Sequence, residues 1–312
     1  TGIRPHAIEK DWWVTVLLKA IFDTLWALHL VFKGGTSLTK SWKLIQRFSE
    51  GIDLAIDKEF LGFKGPPNKS KIERLRRNAS KFVSGEFKEG LEKALLDLGV
   101  PADQFHINAL FAEDSIRDPQ VLELQYVSVL EPDPNPYLKE KVLIEVGARS
   151  LLEPSSAREI TSILSEVFPD ASFSTPPFLV QTVDPKRTFL EKAFLLHELF
   201  YKSESTKQHD RMSRHLYDLE CLMHTEHATA ALEDEELYNA IIQHREAFNK
   251  VTGVDYGSHY PASINFLPSQ EQLSEWESDY KAMQENMIYG KSLAFADLIA
   301  NLKTLMQRFR NS

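Results

Sequence analysis

Cysteine is almost absent from this chain: Cys221 is the only one in 312 residues. A single thiol excludes an internal disulfide and fits a reducing compartment. Long apolar runs are missing too, and none reaches the roughly 20 residues that a membrane span needs. No signal peptide is visible, so a cytoplasmic location is expected. Positive charge is in deficit, with 36 Lys and Arg against 45 Asp and Glu, a net charge of −9 and a pI near 5.6. That balance excludes nucleic-acid binding through overall charge, so any such binding needs a local basic patch. There is no internal repeat and no low-complexity tract.

Core-forming residues are plentiful, with 43% hydrophobic residues including 19 Phe, 9 Tyr and 5 Trp. At 312 residues, two sub-domains are expected.

The most informative stretch runs from Leu28 to Asp57. The apolar run Leu28 to Phe32 has the length of a buried strand. It leads through Lys33 to the pair Gly34-Gly35, where the bare backbone admits a tight turn and the close approach of a ligand. Thr36 and Ser37 are good N-caps for a helix whose apolar face is Leu38, Trp42 and Ile45. The N-terminus of such a helix attracts anions. Farther on, Ile52, Leu54 and Ile56 alternate with Gly51, Asp53, Ala55 and Asp57, so period two sends Asp53 away from the apolar face. A phosphate cradle followed by a strand with an outward carboxylate suggests metal-assisted phosphoryl or nucleotidyl transfer.

These residues carry a resemblance. Gly34-Gly35-Thr36-Ser37-Leu38, a helix, then Arg47-Phe48-Ser49-Glu50-Gly51-Ile52-Asp53-Leu54 is similar to the DNA polymerase β-like minimal nucleotidyltransferases. More narrowly, it resembles the AbiEii/AbiGii toxins of abortive-infection and toxin–antitoxin systems. In that family the strand reads Ser-x-Asp-Ile-Asp-Leu, and its two aspartates hold Mg²⁺ against the triphosphate of an NTP. Here Gly51 replaces the first of them, which implies weak or absent transfer by this chain. Restoring an aspartate at position 51 is expected to raise transfer.

Pro5 to about His29 reads as one packing helix. From Lys64 to Lys81 there are seven basic residues and one acid, Glu73. Lys71, Arg74 and Arg77 fall near one helical face. Two readings stand for this stripe, a solvated face or a contact to RNA phosphates. A helix from Phe87 to Leu98 ends at Gly99. Val121 to Val129 and Lys141 to Val146, joined by Glu131-Pro132-Asp133-Pro134-Asn135-Pro136, read as an antiparallel hairpin. In the second strand Glu145 faces away from Val142, Ile144 and Val146. The resemblance makes Glu145 the third metal carboxylate.

Glu153 to Val167 reads as a short helix and Phe178 to Thr182 as a strand, and Pro185 opens a long helix. Within that helix Arg187-Thr188-Phe189-Leu190-Glu191-Lys192 resembles a family motif whose Lys meets the nucleotide phosphates. Arg211-Met212-Ser213-Arg214-His215-Leu216-Tyr217-Asp218-Leu219 resembles another, whose Asp belongs to the active site. Helical spacing puts Arg211, Arg214, His215 and Asp218 on one face. His224 and His227 lack further ligands in sight and read as ordinary helix residues. The acidic Glu233 to Glu236 suits a helix N-terminus. Asp234 to Phe248 and Gln270 to Phe309 read as amphipathic helices.

The expected architecture is α/β (α+β). It has a nucleotidyltransferase core with a small mixed sheet at residues 1–185, and a helical domain at 186–312 that closes over it and lends Lys192 and Asp218. The resemblance implies NMP transfer from an NTP with Mg²⁺ held by Asp53 and Glu145. It implies nucleotide binding by Lys33, Gly34, Gly35, Thr36, Ser37, Arg47, Ser49 and Lys192. The acceptor it implies is tRNA, bound through Lys71, Arg74 and Arg77, and an antitoxin is a further expected partner. A protein or small-molecule acceptor, or a non-catalytic nucleotide- or RNA-binding protein, are the alternatives.

Overall fold

A computed structural model of the chain describes residues 3–49, 51–110, 113–132, 138–171, 173–201 and 210–311. Glu50 and the hairpin-turn residues Asp133 to Pro136 lie outside the described residues. The chain divides into two compact units. The first contains Thr1–Trp42 and Phe48–Val183; the second contains Lys43–Arg47 and Asp184–Ser312.

The first unit is built on a seven-stranded sheet in the order β3-β4-β5-β2-β1-β7-β6. Its strands are β1 (Leu30–Lys33), β2 (Gly51–Ile56), β3 (Phe105–Leu110), β4 (Gln120–Tyr126), β5 (Lys141–Gly147), β6 (Ser155–Ile160) and β7 (Phe178–Val183). The sheet is mixed as expected, but seven strands make it larger than the small sheet predicted. β2 pairs parallel with β5 and antiparallel with β1, while β4 and β5 form the expected antiparallel pair. The alternation in β2 is realised. Ile52, Leu54 and Ile56 are fully buried, while Gly51 and Asp53 are half-exposed on the other face. Helix α1 (Pro5–Phe22) is shorter than predicted. A 3₁₀ turn at Leu25–His29 separates it from β1.

Two expectations fail in this unit for local reasons. Residues 155–160 form β6 rather than a helix, and only the short helix α5 (Ile163–Val167) follows. Ala157, Arg158 and Glu159 favour a helix, but residue-by-residue pairing with β7 decides the outcome. Helix α2 spans only Gly34–Lys40. Trp42 and Ile45 lie beyond it, because Lys43 takes a left-handed φ of 53° and ends the possibility of a helix there. β3 escaped notice in the sequence because only Ile107 of its six residues is buried.

Helices α3 (Lys69–Phe82) and α4 (Lys88–Asp97) are joined by a π-helical turn at Val83–Phe87. In the second unit α6 (Pro185–Tyr201), α7 (Ser213–Met223), α8 (Glu226–Glu233), α9 (Glu235–Phe248), α10 (Leu273–Asn286) and α11 (Phe295–Arg310) pack through an aromatic core that includes Phe189, Phe194, Phe266 and Phe309. Asp234 caps α9 by accepting from the Leu237 N–H, as its acidic run foretold.

Candidate active site

In the first unit, strand register sets the geometry. Asp53 on β2 stands directly opposite Glu145 on β5, and opposite Lys33 on β1. Partners in register share a face, and neighbouring strands lie about 4.8 Å apart. Lys33, Asp53 and Glu145 thus form a row across three adjacent strands. All three are half-buried. Among the described residues, nothing hydrogen-bonds or ion-pairs with the Asp53 carboxylate.

Gly34 sits against that carboxylate. Its φ of +77° is a glycine conformation, and a Cβ added there would overlap Asp53 Oδ2 and lie 2.8 Å from Cγ. The bare backbone of Gly34 is therefore the surface on which Asp53 rests. The glycine pair forms the first turn of α2 rather than a loop before it, and Lys33 is the N-cap. Thr36 and Ser37 are accordingly not N-caps. The Thr36 hydroxyl donates to the Gly51 carbonyl at 2.5 Å, tying α2 to β2, and the Ser37 hydroxyl donates to the Gly34 carbonyl at 2.8 Å. Their hydroxyl protons are used inside the fold, which leaves the backbone N–H groups of the turn as its donors.

Gly51 is equally constrained. A Cβ built there would overlap the Leu143 carbonyl oxygen and lie 3.2 Å from Leu143 Cβ. β2 and β5 have closed around a glycine at the position where the motif places an aspartate. Ser49 is half-buried two residues upstream.

The second unit holds the remaining motif residues. Asp218 is fully buried on α7 and carries two cations. Arg47 donates from Nε to Oδ1 and from Nη2 to Oδ2, both at 2.7 Å, and Lys192 Nζ lies 2.8 Å from Oδ2. Burial alone would push the Asp218 carboxyl up, but the charges and hydrogen bonds of Arg47 and Lys192 hold it well below the usual carboxylate range. Burial lowers Lys192, and Arg47 adds to that while Asp218 opposes it. Lys192 Nζ also lies 3.3 Å from His215 Nδ1. Arg211 precedes α7 with a φ of 61°, so it does not share the helical face predicted for it; Asp279 accepts from the N–H groups of Arg211 and Ser213 instead.

The basic stripe lies on α3. Arg74 and Arg77 are exposed, whereas Lys71 is half-buried and donates to the carbonyls of Lys64 and Pro66. Arg77 also meets Glu73 at 3.5 Å.

A family model described as "Nucleotidyl transferase AbiEii toxin, Type IV TA system" matches residues 16–301. The chain belongs to this family. It is therefore a nucleotidyltransferase toxin of the type IV toxin–antitoxin class. No curated protein matches the chain. Among solved structures it is similar to MenT4, a nucleotidyltransferase toxin from Mycobacterium tuberculosis H37Rv. That match has a TM-score of 0.50 and 14% identity, and covers 98% of this chain and 83% of MenT4. At that identity the likeness concerns the fold. No helix among the described residues of this AbiEii-family chain is long and apolar enough to cross a membrane.

Neither His224 nor His227 joins a metal-binding group, and no cluster of three His, Cys, Asp or Glu exists among the described residues. The donors that fit a divalent ion are Asp53 and Glu145. Two carboxylates suit Mg²⁺, which commonly takes one or two of them together with substrate phosphates and water. Any side chain at Gly34 would collide with the Asp53 carboxylate and displace it.

Proposed function

We propose that this chain transfers an NMP from an NTP to RNA, with a tRNA end as the acceptor. The observation that carries the reading is the register of Asp53 and Glu145, with Gly34 against the Asp53 carboxylate. Asp53 and Glu145 hold Mg²⁺, which when bound neutralises charge on the triphosphate and its leaving oxygen. Lys33 and the N–H groups of Gly34 and Gly35 bind phosphate oxygens. Lys192 meets the nucleotide phosphates, as the resemblance implies. Two cations on the single buried carboxylate of Asp218 favour that role, because their net charge is positive. Arg47 acts through Asp218 rather than on the nucleotide: its bidentate bond fixes the carboxylate that Lys192 shares.

Arg74 and Arg77 bind the RNA backbone; their exposure supports this, and an acidic chain needs such a patch. The bonds of Lys71 to its own loop support a secondary part for it. Gly51 removes one metal ligand and slows transfer relative to an aspartate. An antitoxin protein is the cognate partner, and the cytoplasm is the site of action.

The test is to incubate the purified chain with Mg²⁺, total RNA and each labelled NTP in turn. Label is expected in RNA of tRNA size from one or two of the four. Changing Arg74 and Arg77 to Glu should raise the RNA KM and reduce its salt dependence. Label in protein, or no label from any NTP with either this chain or its Gly51→Asp variant, would contradict the reading.

A further inference from the structure

Lys192 is buried on α6 and meets two groups on α7, Asp218 Oδ2 at 2.8 Å and His215 Nδ1 at 3.3 Å. His215 and Asp218 are three residues apart, so they lie side by side on one helical face. An ammonium has three N–H donors in roughly tetrahedral directions. Two such partners fix its rotation about the Cε–Nζ bond.

We propose that His215 is a positioning residue: its Nδ1 accepts one N–H of Lys192, Asp218 accepts a second, and the third is thereby aimed at a phosphate oxygen of the nucleotide. The inference rests on the reading that Lys192 meets the nucleotide. For Nδ1 to accept, the imidazole must be neutral with its proton on Nε2. Burial, and then the nearby cations Lys192 and Arg214, hold His215 well below its ordinary value and keep it neutral at pH 7. A protonated ring would present N–H to N–H and push the ammonium away. His215 thus supplies an acceptor without a second negative charge. A carboxylate in its place would neutralise the excess positive charge that suits a phosphate ligand.

The experiment compares His215→Leu, His215→Asn and Lys192→Met in the full chain. Asparagine places its Oδ1 the same number of bonds from Cα as Nδ1, so it restores the acceptor without an imidazole. Affinity for each of the four NTPs with Mg²⁺ is measured by titration calorimetry, together with the melting temperature. For the tightest NTP, Lys192→Met and His215→Leu should each weaken binding about fivefold or more, the scale of one hydrogen bond to a charged group. His215→Asn should bind within about twofold of the unaltered chain, on the same scale. If His215→Leu binds as the unaltered chain does, or if His215→Asn is as weak as His215→Leu, the positioning role is overturned. Unchanged affinity in Lys192→Met overturns the nucleotide reading itself, a separate result. Should His215→Leu fail to fold, His215→Ala, which also lacks the acceptor, takes its place in the comparison, with the same expected loss and the same contrary result.

Discussion

Asp53 and Glu145 stand opposite each other in register on two adjacent parallel strands, although 92 positions separate them in sequence. Neither strand alone offers two carboxylates on that face, because Gly51 and Ala55 take the other positions of β2, and Lys141, Leu143 and Gly147 those of β5. The pair exists only because β5, after its hairpin with β4, lies beside β2. Lys33 on β1 completes the row from the opposite side.

Gly34 is the backbone against which the Asp53 carboxylate rests. Gly34→Ala forces a side chain into a left-handed φ and onto the Asp53 carboxylate. It should cost about 1–3 kcal/mol of stability. It should also reduce label transfer more than the same stability loss introduced on α11, for instance by Leu305→Ala. Melting curves and transfer rates measured side by side check this. Equal activity in the two variants would show that Gly34 matters only for folding.

Gly51 separates packing from chemistry. Gly51→Ala and Gly51→Asp both press a Cβ on the Leu143 carbonyl, so both should lower the melting temperature, by about 1–3 kcal/mol in stability. Only the aspartate adds a ligand beside Asp53, so only Gly51→Asp should raise transfer. A gain of activity at a cost in stability is common at functional sites. Transfer by Gly51→Asp no faster than by Gly51→Ala would refute the ligand argument.

The triad of Arg47, Lys192 and Asp218 is an ionic core of the second unit. Asp218→Asn leaves two buried cations facing a neutral amide. Removing one partner of such a group costs about 3–5 kcal/mol. The urea midpoint should fall accordingly, whereas Arg74→Ala on the exposed face of α3 should leave it nearly unchanged. Similar midpoints for the two variants would mean that the buried charges are not what holds this core.

Acid should weaken the second unit in two stages. His197 accepts the Asn265 N–H at Nδ1 and lies 2.8 Å from the Ser258 hydroxyl at Nε2. Burial, aided by His259, lowers it from 6.5 to about 4. Between those values the unfolded chain binds a proton that the folded chain refuses, so stability falls as pH drops from 6.5 to about 4. For Glu198, burial raises the carboxyl, but hydrogen bonds from His259 and Arg245 bring it down from 4.5 to about 2. Its stabilisation is present above pH 4.5 and is lost as pH falls toward 2. His197→Gln should flatten the first stage and leave the second. Urea titrations at half-unit pH steps check this, and an unchanged slope between pH 6.5 and 4 would exclude His197 as the cause.

Much of the site was legible in the sequence because it is local. The two glycines, the alternation around Asp53 and that around Glu145 each span fewer than eight residues, and period two fixes their faces. What could not be read depends on partners far along the chain. Helical spacing put Asp218 on one face with Arg214 and His215, but nothing local says that it bonds Arg47, which is 171 residues away. Thr36 looked like a cap and instead bonds a strand. β6 carries helix formers and becomes a strand through β7. A glycine inside a strand marks a place where another backbone comes close, so Gly51 announces a near neighbour, but not that the neighbour is Leu143 of β5.

The central claim is that Asp53 and Glu145 act as one unit in nucleotidyl transfer. Its most direct test is the rate of label transfer from NTP to RNA by the unaltered chain, by Asp53→Asn, by Glu145→Gln and by the double variant, at saturating Mg²⁺. Each single change should lower kcat by roughly 10²-fold or more with a smaller change in NTP KM, as expected for groups that act mainly in the transition state. The double variant should be scarcely slower than either single one, because residues that act together are not additive. Transfer by Asp53→Asn at the rate of the unaltered chain, or independent multiplicative losses in the double variant, would contradict the account.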